Sequence, residues 1–166
     1  IKATNNIGGP ESFLGIMPGS VLSAIYDKYG QRLLESNVRT FLDFRSGVNK
    51  GLRKTLVAEP DNFFAYNNGI TVTAESAEIE LDGNVGLIKN LKNMQVVNGG
   101  QTTASVYFSP KEKGGIKTQS GDLLFKDIDL DKISVQMKLT ILGSEDEDYS
   151  EQFKASISRY ANSQNS

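Results

Sequence analysis

The residues most suited to chemistry are Asn98, Gly99, Gly100, Gln101, Thr102 and Thr103, which follow directly on the apolar run Met94 to Val97. A strand entering a helix through two glycines can turn sharply and lets a ligand approach without a Cβ in the way. The first amides of such a helix, with the positive end of its dipole, favour an anionic group such as a phosphate. Thr102 and Thr103 add hydroxyls and Gln101 adds an amide. The same residues serve equally as a plain strand-to-helix turn capped by Thr102. The ending Gly-Lys-Thr of a Walker loop is absent.

A second polar cluster, Asn67 and Asn68 ahead of Gly69 and Ile70, follows the aromatic pair Phe64 and Tyr66. Asn-Gly between extended segments is a hairpin signal. Amides beside aromatic rings are also the combination that reads a base or a nucleotide ring. A third set, Arg39, Arg45, Lys50, Arg53 and Lys54, is interrupted by one acid, Asp43. On a helix, Lys50 and Lys54 share a face with Arg53 beside them, suited to a phosphate backbone or simply to solvent. The carboxylates Asp43, Glu59 and Asp61 would carry magnesium in an enzyme reading, although no spacing aligns them. The acidic stretch Glu145 to Glu151 reads as helix capping, not a metal site.

Composition narrows the chemistry further. The 166 residues include no His and no Cys, which removes structural zinc sites, disulfides, Cys or Ser-His nucleophiles and a His base. Carboxylates, cationic side chains and backbone amides remain. With 18 basic and 20 acidic side chains the net charge is −2, so any nucleic-acid surface is local. No apolar run approaches the roughly 20 residues of a membrane span, and the expectation is a soluble, cytoplasmic protein with no membrane partner.

The elements that must position these residues follow from periodicity. Residues 1–12 read as a tail or linker, and 13–166 as one domain, a fragment of something longer. Phe13 to Met17 suits a short strand. Ser20 is a candidate N-cap for a helix over Val21 to Leu34, and Val48, Leu52 and Leu56 mark a shorter helix that Glu59-Pro60 ends. Phe63 to Thr73 reads as extended, with a tight turn at Asp82-Gly83 further on, and Met94 to Val97 as a central strand. Ser109 to Asp127 reads as a surface loop. Ile133 to Ile141 alternates as a half-buried strand, and Tyr149, Phe153, Ile157 and Tyr160 mark a last helix near Tyr149 to Ala161, with Asp148 and Glu151 at capping-box spacing. This is an α/β or α+β domain, a mixed sheet flanked by helices.

Four ordered blocks, Asn37 to Leu56, Phe63 to Thr71, Met94 to Val106 and Ala161 to Ser166, resemble the abortive infection phage resistance (AIPR) family. The resemblance implies bacterial defence against phage inside the cell, and membership of a longer protein whose other domains are partners. A more distant similarity, to the DGQQR-type signature of ParB and sulfiredoxin-like domains, implies that fold and a nucleotide or DNA ligand. Asn98 stands where that signature has Asp, and Thr102 replaces its Arg, which disfavours hydrolysis more than binding. The expected function is thus a phage-defence domain that binds nucleic acid or a nucleotide in a cleft between the two Asn-Gly loops, with Gln101 near Asn68. The cofactor would be a nucleotide, with magnesium only if the domain is a nuclease or nucleoside triphosphatase. The third alternative is a protein interaction or sensing module.

Overall fold

A computed structural model describes residues 1–3, 10–34, 48–83, 85–143 and 147–163. The fold is α+β. Strand β1 (Glu11–Pro18) runs without a loop into helix α1 (Gly19–Tyr29), extended by a 3-10 turn to Leu34. Helix α2 (Lys50–Ala58) and the single turn α3 (Phe63–Tyr66) precede β2 (Ile70–Ala74). A hairpin, β3 (Ser76–Asp82) and β4 (Val85–Lys92), leads to β5 (Gln95–Asn98) and α4 (Gly100–Phe108). Two short strands, β6 (Ile116–Lys117) and β7 (Leu123–Leu124), precede β8 (Ser134–Ile141) and α5 (Glu147–Ser163).

The main sheet has the order β1-β8-β2-β5. β8 is antiparallel to β1 and parallel to β2, and β2 is antiparallel to β5, so the sheet is mixed. Alternation along β8 buries Val135, Met137 and Leu139 while Ser134 and Lys138 face solvent. The buried row continues across Phe13, Ile70, Val72 and Val96, and Leu22 and Tyr26 of α1 with Val106 of α4 complete the core. Clustering of these apolar side chains on one face supplies the main driving force for the layer.

Several elements differ from the sequence expectation, each for a local reason. Phe63 to Tyr66, read as strand, is a helical turn that buries Phe63 to 1% exposure; packing of that ring overrides the β preference of the aromatic run. The strand begins only at Ile70. Asn68-Gly69 is not a hairpin turn but the entry to β2, whose neighbours are the distant β5 and β8. Gly69 is required there, with φ +74° and a Cβ position only 2.1 Å from the Gln136 carbonyl oxygen. Ser20 does not cap α1. The helix starts at Gly19, whose amide donates to the Ile133 carbonyl at 2.8 Å. Asp148 lies within α5, not at its cap.

The expected stop of the second helix and the turn at Asp82-Gly83 hold, while two stretches read as loop and tail carry strand pairing. Helix α2 is capped by Asn49, whose Oδ1 accepts from the amides of Gly51 and Leu52 at 3.0 and 3.1 Å, and it ends before Glu59-Pro60 as expected. Asp82-Gly83 closes the β3–β4 hairpin, Gly83 at φ +64°. The stretch 109–127 contains the β6–β7 pair. Residues 1–3 pair with β1, the Ala3 amide donating to Ser12 O and the Leu14 amide to Ile1 O, both at 2.8 Å.

Candidate functional site

Antiparallel pairing of β2 with β5 sets the start of one strand beside the end of the other, with Thr71 opposite Asn98. The two Asn-Gly loops therefore meet at one end of the sheet. Asn67 is the hinge between them: its Oδ1 accepts from the Gly69 amide at 2.8 Å and from the Thr102 hydroxyl at 3.1 Å. Gly99, at φ +92°, lies so close to the Gly69 carbonyl that a Cβ would stand 2.6 Å from its oxygen. Chain topology alone is enough to bring the loops together, so their meeting does not of itself require a ligand.

The structure divides the predicted residues into those that build the junction and those at its surface. Gly100, Thr102 and Thr103 are buried. Thr103 donates its hydroxyl to the Gly99 carbonyl at 3.2 Å, and its amide donates to the same oxygen at 3.0 Å, so it closes the first turn of α4. Asn68 is exposed, while Asn67, Asn98 and Gln101 are half-buried. Helix α4 begins with no side-chain cap from Gly99 and no acid in its first turn, so the positive end of its dipole is not neutralised there by its own residues.

A cation that sequence reasoning passed over stands in the same row. Lys138 lies opposite Thr71 on β8, and Thr71 lies opposite Asn98 on β5, so the three residues form one row across the sheet, Lys138 exposed and Thr71 and Asn98 half-buried. Neighbouring strands are roughly 4.8 Å apart, which places Lys138 and Asn98 about 10 Å from one another at the backbone. Lys138 is exposed, with no ion pair among the described residues. Its alternation with buried neighbours was visible in the sequence, but its position beside Asn98 depends on the parallel β2–β8 register.

The basic set is split. Arg39 and Arg45, with Asp43, lie outside the described residues. Lys50 and Lys54 are exposed. Arg53 is not on their face: it is 9% exposed, with Nε 3.2 Å from Glu112 Oε2 and Nη2 donating to the carbonyls of Glu112 and Gly114. Its fork ties α2 to the segment before β6. Glu59 accepts from Asn62 at 3.2 Å and from the Tyr66 hydroxyl at 3.3 Å. Among the described residues, no three His, Cys, Asp or Glu side chains are grouped to hold a metal ion, and no helix is long and apolar enough to cross a membrane.

A mixed four-stranded sheet carrying an uncapped, glycine-led helix defines an α+β domain with a polar loop junction at one end. The chain belongs to the AIPR family, whose model, described as AIPR protein, matches residues 34–166. Membership places it among phage-defence, abortive-infection proteins. No curated protein and no solved structure matches the chain, and the expected similarity to ParB and sulfiredoxin-like domains is not shown.

Proposed function

We propose that this domain acts in phage defence by binding a phosphate-bearing ligand, a nucleotide or a nucleic-acid strand, at the loop junction. The observation that carries the reading is the uncapped start of α4 beside the Lys138–Thr71–Asn98 row. Asn68, Asn98 and Gln101 would meet the ligand. Asn67, Thr102 and Thr103 hold the loops that present them, and Gly99 and Gly100 permit the close approach. Phe64 and Tyr66, 44% and 65% exposed next to Asn67, offer ring surfaces on which a base can stack. Lys50 and Lys54 supply further charge for a longer strand, with the remaining domains of a longer AIPR protein as further partners.

Titration with ATP and with a short single-stranded DNA at two salt concentrations tests the reading. Binding should weaken as salt rises, because phosphate contacts release counterions. Lys138→Gln should lower affinity by about three- to tenfold and reduce the salt slope by about one unit. If the wild-type protein binds neither ligand at low salt, the phosphate reading fails and the interaction-module alternative replaces it.

A further inference from the structure

Glu59, an exposed acid just beyond the end of α2, is tied to an exposed aromatic ring. Its Oε2 accepts from Asn62 Nδ2 at 3.2 Å and from the Tyr66 hydroxyl at 3.3 Å, and Asn62 Nδ2 also donates to the Tyr66 oxygen at 3.3 Å. These bonds tether the tip of a ring that is 65% exposed. The other carboxylate oxygen, Oε1, receives no hydrogen bond, and no Lys or Arg pairs with Glu59, among the described residues. Tyr66 is joined to the loop junction by a single residue, since Asn67 follows it and accepts from the Thr102 hydroxyl in the first turn of α4.

The chemistry of this corner discriminates between bases. An ionised carboxylate only accepts hydrogen bonds. Guanine alone has two adjacent donors on its Watson–Crick edge, N1–H and the 2-amino group. Adenine and cytosine place an unprotonated ring nitrogen there, whose lone pair would face the acid. Uracil and thymine offer one N–H between two carbonyls. An unpaired carboxylate beside a site for anions opposes any phosphate ligand except one that brings donors to it, which is selection by repulsion as well as by attraction.

We propose that the base recognised at the junction is guanine, stacked on Tyr66 with its N1–H and 2-amino donors on Glu59; this rests on the phosphate-binding reading above and names the ligand class of the same site. Stacking on the ring leaves the edge of the base at the tethered tip, where Glu59 stands, while its phosphate extends past Asn67 toward the start of α4. Stacking is tolerant of sequence and supplies affinity, and the edge contact supplies the choice of base. Glu59 is therefore the specificity-determining residue, and Asn62 positions both the acid and the ring.

The experiment compares GTP with ATP by calorimetric titration at low salt, since the two carry the same ribose and triphosphate and differ only in the base. Thymidine tetramers carrying one guanine or one adenine form the second arm. GTP should bind about tenfold or more tighter than ATP, and inosine triphosphate, which lacks only the 2-amino group, should fall between them. A preference shown by the tetramers alone would place the guanine in a strand, and one shown by the nucleotides alone would place it in a free nucleotide. Equal binding of guanine and adenine ligands in both arms overturns the proposal and leaves the phosphate reading standing. No binding of any ligand overturns both. In Glu59→Gln the amide oxygen can still hold Tyr66, so the GTP-to-ATP ratio should fall to near one while ATP binds as before or tighter; a retained ratio overturns the role of Glu59. Tyr66→Ala should weaken GTP and ATP alike, by about fivefold or more, and unchanged affinities would overturn the stacking.

Discussion

Asn67 is the test of whether the loop junction is a built unit. Its Oδ1 accepts from the Gly69 amide at 2.8 Å and the Thr102 hydroxyl at 3.1 Å, and Thr102 is only 5% exposed. Asn67→Ala removes the one oxygen that accepts both hydrogen bonds and leaves two donors with little access to water. A lost hydrogen bond costs about 1 kcal/mol net, and a stranded buried donor about 1 to 3 kcal/mol. The sum is about 2 to 4 kcal/mol, or roughly 5 to 15 °C in Tm for a domain of this size. Thr102→Val removes one donor while keeping the shape, and should cost about 1 kcal/mol. Urea denaturation of both single variants and the double variant gives the cycle. The double variant should be about 1 kcal/mol less destabilised than the sum, because the bond can be lost only once. An Asn67→Ala loss below about 0.5 kcal/mol, or an additive cycle, would refute the reasoning.

Three further outcomes follow from the same geometry. Gly69→Ala, at φ +74° with its Cβ position against Gln136, should destabilise by more than about 3 kcal/mol, whereas Gly83→Ala, at φ +64° in open space, should cost about 1 kcal/mol; thermal melts showing equal losses would contradict this. Arg53→Lys should destabilise by about 1 to 2 kcal/mol in urea, because a point ammonium cannot reach both carbonyls and Glu112, while Lys54→Ala should change stability by less than about 0.5 kcal/mol. Glu75 accepts from Lys92 Nζ at 2.9 Å and also from Asn93, and the Lys92 hydrogen bond chiefly holds its carboxyl below the usual value of 4.5. A lowered folded pKa gives stability that is complete above 4.5 and is lost as pH falls through the lowered value. Urea midpoints of wild type and Glu75→Gln should therefore differ at neutral pH and converge in acid.

Elements with one strong signal were legible in the sequence. Ile133 to Ile141 alternates so regularly that its buried face could be written down, and β8 takes that face. The stop at Glu59-Pro60 and the turn at Asp82-Gly83 are local chemistry, and local chemistry decides them. Phe63 to Thr73 misled because its aromatics suit a strand, while burial of Phe63 against distant residues favours a helical turn. The site was legible as two polar loops, but not in its division of labour. Thr103 looks like a ligand donor until its hydroxyl is seen bonded to the Gly99 carbonyl. Arg53 looks like part of a basic face until Glu112 and Gly114, some 60 positions away, claim its fork. Lys138 gave no signal because its relation to Asn98 exists only through strand register.

The strand order carries a consequence for biosynthesis. β8, near the end of the chain, sits between β1 at residues 11–18 and β2 at residues 70–74. A ribosome must therefore release residue 141 before the two earlier strands acquire the neighbour that joins them. Until then, both present unpaired edges and the apolar faces around Phe13 and Val72 to solvent, a long-range closure of the kind that folds slowly and aggregates in passing. A message broken before the codons for Ser134 would leave that product permanently open, so ribosome stalling in this interval should recruit chaperones in a way that stalling after residue 141 does not.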